Sequence, residues 1–241
     1  MTNFALLNNV DHQDLMVITE RSAKYGDNVM FAMTFPHEFR NIQACYPILF
    51  HRDDKDKFYP LALFGFEKNE NLFLDDTGWH APYVPAMIRR EPFMIGFQAS
   101  EDGGNAEQTR MLSLDMDHPR VSNENGERLF QALGGRTPYL EDMANLLENI
   151  YHGHQQNTAF VGALEEHELI ESVNIDITLD DGSKNQLLGF YAINEEKLQE
   201  LPGSTLESFN KSGFLMPIFM ALASMANLRT LIEFRNKKLK E

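Results

Sequence analysis

Thr137-Pro138 opens the strongest helix signal in the chain, and a helix of that length constrains whatever packs around it. Thr is a good N-cap and Pro suits the first helical position. Glu141 and Asp142 fall in the first turn, where the helix dipole favours anions. Leu140, Met143, Leu147, Ile150 and Tyr151 line one face, and Phe160, Val161 and Leu164 continue it. One helix over 138–167 follows. Gly153 in its middle costs about 1 kcal/mol against Ala and marks a place where it could kink or break.

The strands come in consecutive groups rather than alternating with helices. Extended segments are read at Phe4–Leu7, Leu15–Ile18 and Val29–Met33. Tyr46–Phe50 and Phe58–Phe66 make a hairpin across the charged turn Arg52–Lys57, and Asn71–Asp75, Phe93–Gln98 and Arg110–Asp117 add three more strands. A polar, glycine-containing loop covers 101–109. After the long helix, Val173, Ile175, Ile177 and Leu179 alternate with polar residues, Asp181-Gly182 supplies a hairpin turn, and Gln186–Ile193 returns. Short helices are expected at Ala86–Arg90, Asn125–Leu133, Glu195–Leu201 and Ser204–Asn210, and one closing helix at Phe214–Lys238. The pattern is α+β, with a mainly antiparallel sheet, one long central helix and a C-terminal helical segment. It reads as a single domain over 1–241, with a β-rich part to about 120 and a helix–hairpin–helix part from about 121.

Charge narrows the partners. Asp and Glu number 36 against 21 Lys and Arg, a formal net charge of −15. Nucleic acid and anionic membrane both demand a basic footprint, so neither is an expected partner. The acidity itself needs no explanation beyond solubility. A single cysteine, Cys45, excludes a disulfide framework and a cysteine cluster for zinc, and its place before a strand reads as a buried structural thiol. The N-terminus has neither a basic leader nor a continuous apolar core, and no stretch approaches the ~20 apolar residues that span a bilayer. Phe214–Ala226 reads as a buried helix. A soluble, cytoplasmic protein is expected.

The motifs exclude more than they assign. His152 and His154 point to nearly opposite faces of a helix and cannot chelate one ion together. Glu165-Glu-His-Glu168 lacks further ligands and reads as a solvated surface. Neither a phosphate loop nor G-x-S-x-G is present, so no metal, cofactor or catalytic residue is assigned. What stands out is Asp75 to Glu91, where Asp75, Trp79, His80, Tyr83, Arg89 and Arg90 share a short, turn-rich stretch. An aromatic wall beside an arginine pair would make a shallow binding pocket with an anion clamp. The structural alternative is that Trp79 and Tyr83 staple the loop to the sheet while an arginine pairs with a carboxylate of the same loop. Both stay open.

Tyr46-Pro47-Ile48, Phe58-x-Pro60-x-Ala62-Leu63-x-Gly65 and Asn71-Leu72-Phe73 resemble the SapC family, and so, most specifically, does the segment from Trp79-x-Ala81 through Tyr83-Val84-Pro85-Ala86-x-Ile88-Arg89-Arg90 to Pro92-Phe93. The likeness continues in Gly189-Phe190-Tyr191-x-Ile193, Leu201-Pro202, Ser212-Gly213-x-Leu215 and Leu222-Ala223-Ser224-Met225-x-Asn227-Leu228. His80 departs from it, standing where the family pattern carries Asp. The family takes its name from a protein encoded with bacterial surface-layer genes. Its members also occur beside flavin-dependent halogenases, cupin-like hydroxylases and TonB-dependent receptors. The resemblance implies a bacterial origin and an accessory role, and it assigns no reaction. Its partner would be a protein, a peptide or a small molecule, and homo-oligomerisation stays open. The alternative is an enzyme with a site around Asp75–Glu91.

Overall fold

The computed structural model describes residues 3–98 and 109–240. Apart from Thr109, the stretch foreseen as a polar loop at 101–109 lies outside the described residues. The chain begins with β1 (Phe4–Leu6), β2 (Met16–Val17), β3 (Phe31–Met33), α1 (Phe39–Ile42), β4 (Ile48–Arg52) and β5 (Phe58–Leu63). Next come β6 (Leu74–Asp75), β7 (Gly78–Trp79), α2 (Ala86–Arg89), β8 (Phe93–Gln98), β9 (Thr109–Asp115), β10 (Val121–Ser122) and β11 (Glu127–Arg128). Helix α3 (Pro138–Glu166) is followed by the hairpin β12 (Ile170–Thr178) and β13 (Lys184–Ile193). The chain ends in α4 (Glu195–Gln199), α5 (Gly203–Lys211), α6 (Leu215–Ser224) and α7 (Asn227–Lys238).

The largest sheet has the order β12-β13-β4-β5-β3, and a smaller one β1-β9-β8; every pairing in both is antiparallel. The fold is thus α+β with antiparallel sheets, as the grouping of strands implied. Two hydrophobic cores result, and α3 serves both. Its first half puts Leu140, Met143, Leu147 and Ile150 against Phe93 and Leu114 of the smaller sheet. Its second half puts Phe160, Val161 and Leu164 against Leu61, Phe39 and Ile218 of the larger assembly.

Thr137 caps α3 by accepting from the Leu140 amide at 3.3 Å, and the helix runs unbroken through Gly153. The reason for that glycine is contact. A Cβ there would lie 2.7 Å from Phe35 Cγ and 2.8 Å from His37 Cε1, and Phe35 is fully buried. Gly153→Ala should therefore destabilise the protein by about 1–2 kcal/mol, although helix preference alone favours Ala by about 1 kcal/mol. A urea melt reads the sign, and a more stable variant would remove the close-approach explanation.

Two expected elements take another form. No helix covers 125–133; that segment carries β11, which pairs with β2. Gly126 sits at φ 119°, and a Cβ there would meet the Val17 carbonyl oxygen at 2.4 Å. The tertiary fit against β2 overrides the local helix signal. The closing helix is two helices, α6 and α7, parted after Ser224. Ser224 Oγ donates to the Ala221 carbonyl at 2.6 Å and accepts from the Ile48 amide at 2.8 Å. Asn227 Nδ2 donates to the carbonyls of Gln43 and Tyr46. These side chains tie the break to the end of α1 and the start of β4.

By length and composition alone, Leu215–Lys238 is apolar enough to cross a membrane, with a window of mean hydropathy 1.5. This corrects the expectation that no stretch of the sequence approaches the length of a membrane span. Here its burial is one-sided: Ile218, Ala221, Ser224 and Leu231 enter the core while Met216 and Phe219 face outward.

Candidate functional site

The segment from Asp75 to Glu91 separates into distinct places. Asp75 and His80 lie on the exposed β6–β7 hairpin, beside a small cavity of about 150 Å³ that Lys237 and Lys238 also line. Asp75 Oδ1 accepts from the Thr77 amide and hydroxyl at 2.7 Å and lies 2.7 Å from His80 Nε2. These hydrogen bonds, the Thr77 hydroxyl's first, hold its carboxyl well below the usual range. Thr77 Oγ1 is also 2.9 Å from His80 Nε2. A nucleophile relay needs the acid and the hydroxyl at opposite ring nitrogens. Here both sit at the same one, so this trio is a turn lock.

Trp79 and Tyr83 point inward. Trp79 Nε1 donates to Tyr46 Oη at 2.8 Å, and Tyr46 Oη donates to the Tyr83 carbonyl at 2.5 Å. Tyr83 Oη donates to Glu38 Oε1 at 2.6 Å, and the Ala86 amide donates to the same oxygen at 2.9 Å. Thr34 Oγ1 donates to Glu38 Oε2 at 3.2 Å. Glu38 is buried, so it caps α2 from another part of the chain, where Pro85 offers no side-chain cap. Burial raises the phenols of Tyr46 and Tyr83 far above their ordinary value, with the Glu38 charge adding to Tyr83.

The far end of α2 is held by charge. Arg21 Nη1 donates to the Ile88 carbonyl and to Asp27 Oδ1, both at 3.1 Å. Asp27 Oδ2 accepts from Arg120 Nη2 at 2.5 Å and from the Ser22 amide at 2.8 Å. Arg120 is 1 % exposed, and its Nη1 donates to the carbonyls of Ile18 and Glu20. Desolvation first, then Arg120, lowers the Arg21 pKa. Neither Asp27 nor Arg120 lies in a sequence motif that would have marked it.

Of the two arginines expected to form a clamp, both are half-buried. Arg90 donates from Nη1 to the Phe93 carbonyl at 2.9 Å and pairs through Nη2 with Glu91 at 2.8 Å. Arg89 ends α2 near the Tyr83 phenol, whose pKa its charge lowers slightly against the larger upward causes.

Arg90 alone of the expected residues borders a second concave region, along α3, made of two cavities that share His154 in their lining. Its upper part, about 320 Å³, is lined by Met87, Arg90, Met94, Ile95, Phe97, Leu147, Ile150, Tyr151 and His154. Its lower part, about 410 Å³, lies among Met33, Phe58, Tyr59, His154, Asn157, Val161 and Gly162, with Asp53, Lys57 and Glu165 at the rim. His154 borders both parts. Desolvation, and secondarily the Arg90 charge, holds its imidazole below the ordinary range. Its ring meets that of Phe35 edge-on, 4.9 Å between centroids.

Two buried polar atoms belong to residues that line these cavities. Asn157 is 6 % exposed, and its Oδ1 has no hydrogen-bond partner among the described residues. Arg90 Nε is buried and equally without a partner among them. Buried polar atoms are nearly always satisfied, and the exceptions ask for an explanation. One signal was present in the sequence: Asn157 interrupts the apolar stripe between Ile150 and Phe160. Among the described residues no group of three or more His, Cys, Asp or Glu side chains could hold a metal ion.

The model of the SapC family matches residues 7–231. No curated protein and no solved structure matches the chain.

Proposed function

The chain belongs to the SapC family, and from that membership and the groove along α3 we propose that it is a non-enzymatic binding or accessory protein of a bacterial surface or nutrient-uptake system, acting in the cytoplasm. The observation that carries this reading is the concave region along α3, whose upper cavity is walled by Met87, Met94, Ile95, Phe97, Leu147 and Ile150 with Arg90, Tyr151 and His154 among them. Ligand sites are typically concave and apolar with a few placed polar groups, and this groove has that make-up. The runner-up, an enzyme centred on Asp75–Glu91, has an exposed acid–imidazole pair in its favour. Against it stand the shared ring nitrogen and the inward-turned Trp79 and Tyr83.

Gly162 offers a clean test. A Cβ at this cavity-lining residue meets nothing within 4 Å, so Gly162→Phe adds bulk beside the cavity without a clash at Cβ. Protein purified gently from its own host should carry a bound component detectable by native mass spectrometry, and Gly162→Phe should lose it while melting normally. Equal retention by the two proteins, or none by the wild type, would sink the binding reading.

A further inference from the structure

We propose that the outer face of α6 and α7 docks on an anionic membrane surface, lying along it without crossing it. The proposal is independent of the cavities along α3. The first argument is exposure. Leu215–Lys238 has the hydropathy of a membrane span, yet only 28 % of its apolar window is buried, where the core helix of a soluble fold would be mostly buried. Helix α6 carries no charged side chain. Met216 and Phe219 are 56 % and 54 % exposed. Half-buried Met220 and exposed Ala223 and Ala226 continue from them at helical spacing, so an apolar ridge faces outward. Met225 and Ala226, at the joint, keep right-handed helical dihedrals, and the ridge runs on into α7.

The second argument is charge. The net −15 opposes an anionic surface only where the acids lie near it, and the charge is unevenly spread. Helix α7 carries Arg229, Arg235, Lys237 and Lys238 against Glu233 alone. Arg229 pairs with Glu233 at 3.1 Å, and Arg235 with Glu67 and Glu70. Lys237 and Lys238 have no ion-pair partner among the described residues. Asp75 shares their cavity but is already engaged by Thr77 and His80. At the other end Arg40, also without an ion-pair partner among the described residues, donates from Nη2 to Met216 Sδ at 3.1 Å. Cations thus stand at both ends of the α6–α7 rod. Charges farther than ~8 Å from the headgroups are largely screened at physiological ionic strength, so these cations count for more than acids on the opposite side of the fold.

The third argument is size and shape. A stable contact with a second copy takes about 20–30 residues a side, far more than this ridge supplies. A bilayer needs no matched groove, and an interfacial helix sinks ~5–10 Å into it, roughly the outer part of a helix ~10 Å across. Crossing is excluded by the inner face. Ile218, Ala221 and Leu231 are in the core, while Ser224 and Asn227 are hydrogen-bonded to Ile48, Gln43 and Tyr46.

The test sediments the full chain with vesicles of phosphatidylcholine alone, and with vesicles of phosphatidylcholine and phosphatidylglycerol in equal parts. Binding to the mixed vesicles should be at least about tenfold tighter than to the neutral ones, and should weaken as salt is raised. Phe219→Ser should weaken binding to the mixed vesicles about tenfold, the size expected for one large apolar side chain withdrawn from lipid. It should melt as the wild type does, because the ring lies outside the core. Lys237→Gln combined with Lys238→Gln should remove most of the preference for the mixed vesicles. Wild type that sediments with neither vesicle would overturn the proposal, and so would a normally folded Phe219→Ser that binds as tightly as wild type. A vesicle-free dimer in analytical ultracentrifugation that Phe219→Ser dissociates, with no vesicle binding, would assign the ridge to a second copy instead.

Discussion

Asp27→Ala should cost about 3–5 kcal/mol of folding stability, the range for breaking a buried ion pair by removing one partner. The carboxylate accepts from two guanidiniums and one amide, and removing it leaves Arg120 charged with almost no access to water. Arg120 would keep its bonds to the Ile18 and Glu20 carbonyls, but these carry only partial charge. A urea titration of wild type and variant measures the loss. A control separates the lost charge from the lost contact: Asp27→Leu combined with Arg120→Met should be less damaging than Asp27→Leu alone, because no buried cation is stranded. If Asp27→Ala costs under about 1 kcal/mol, the cluster is solvated in solution and the account is wrong.

Glu38→Ala should cost about 3 kcal/mol, since it strands the Tyr83 hydroxyl, the Ala86 amide and the Thr34 hydroxyl together. Glu38→Gln keeps one acceptor oxygen and should lose less. The sequence holds a single tryptophan, Trp79, two hydrogen bonds from this network through Tyr46 and the Tyr83 carbonyl. Its emission should move to longer wavelength in Glu38→Ala as the indole becomes wetter. A normal melting temperature with unshifted emission would mean that water replaces the carboxylate without cost. Because Glu38 holds the first residue of α2 and Arg90 directly follows that helix, the same variant should also weaken any ligand bound in the groove.

Where a local rule governed, the sequence was readable. The Thr137-Pro138 cap and the apolar stripe set α3 to within a residue or so, and alternation around Asp181-Gly182 set the β12–β13 hairpin. Buried Cys45, whose thiol desolvation pushes up, was also foreseen. Where a distant contact governed, the reading failed. Gly126 resembles an ordinary loop glycine until β2 is placed against it, and Ser224 and Asn227 fit a helix until α1 and β4 claim their side chains. The groove draws on residues near 33, 57, 90, 95 and 157, five regions with no shared motif. The 75–91 stretch is dense in aromatics and charge. Trp79, Tyr83 and Arg90 spend much of that density internally, on holding α2 and the loop before it.

The middle of the large sheet has a consequence for how the protein comes into being on the ribosome. Strand β4 lies between β5, its neighbour in the chain, and β13, which is made only after more than half of the remaining chain. While the N-terminal half emerges, Ile48, Leu49 and Phe50, all buried at the end, sit on a strand with one edge still bare. Bare apolar edges recruit other strands. The newborn chain therefore passes through an interval in which its sheet is unfinished and adhesive, and that interval closes only when the β12–β13 hairpin arrives to take its place beside β4.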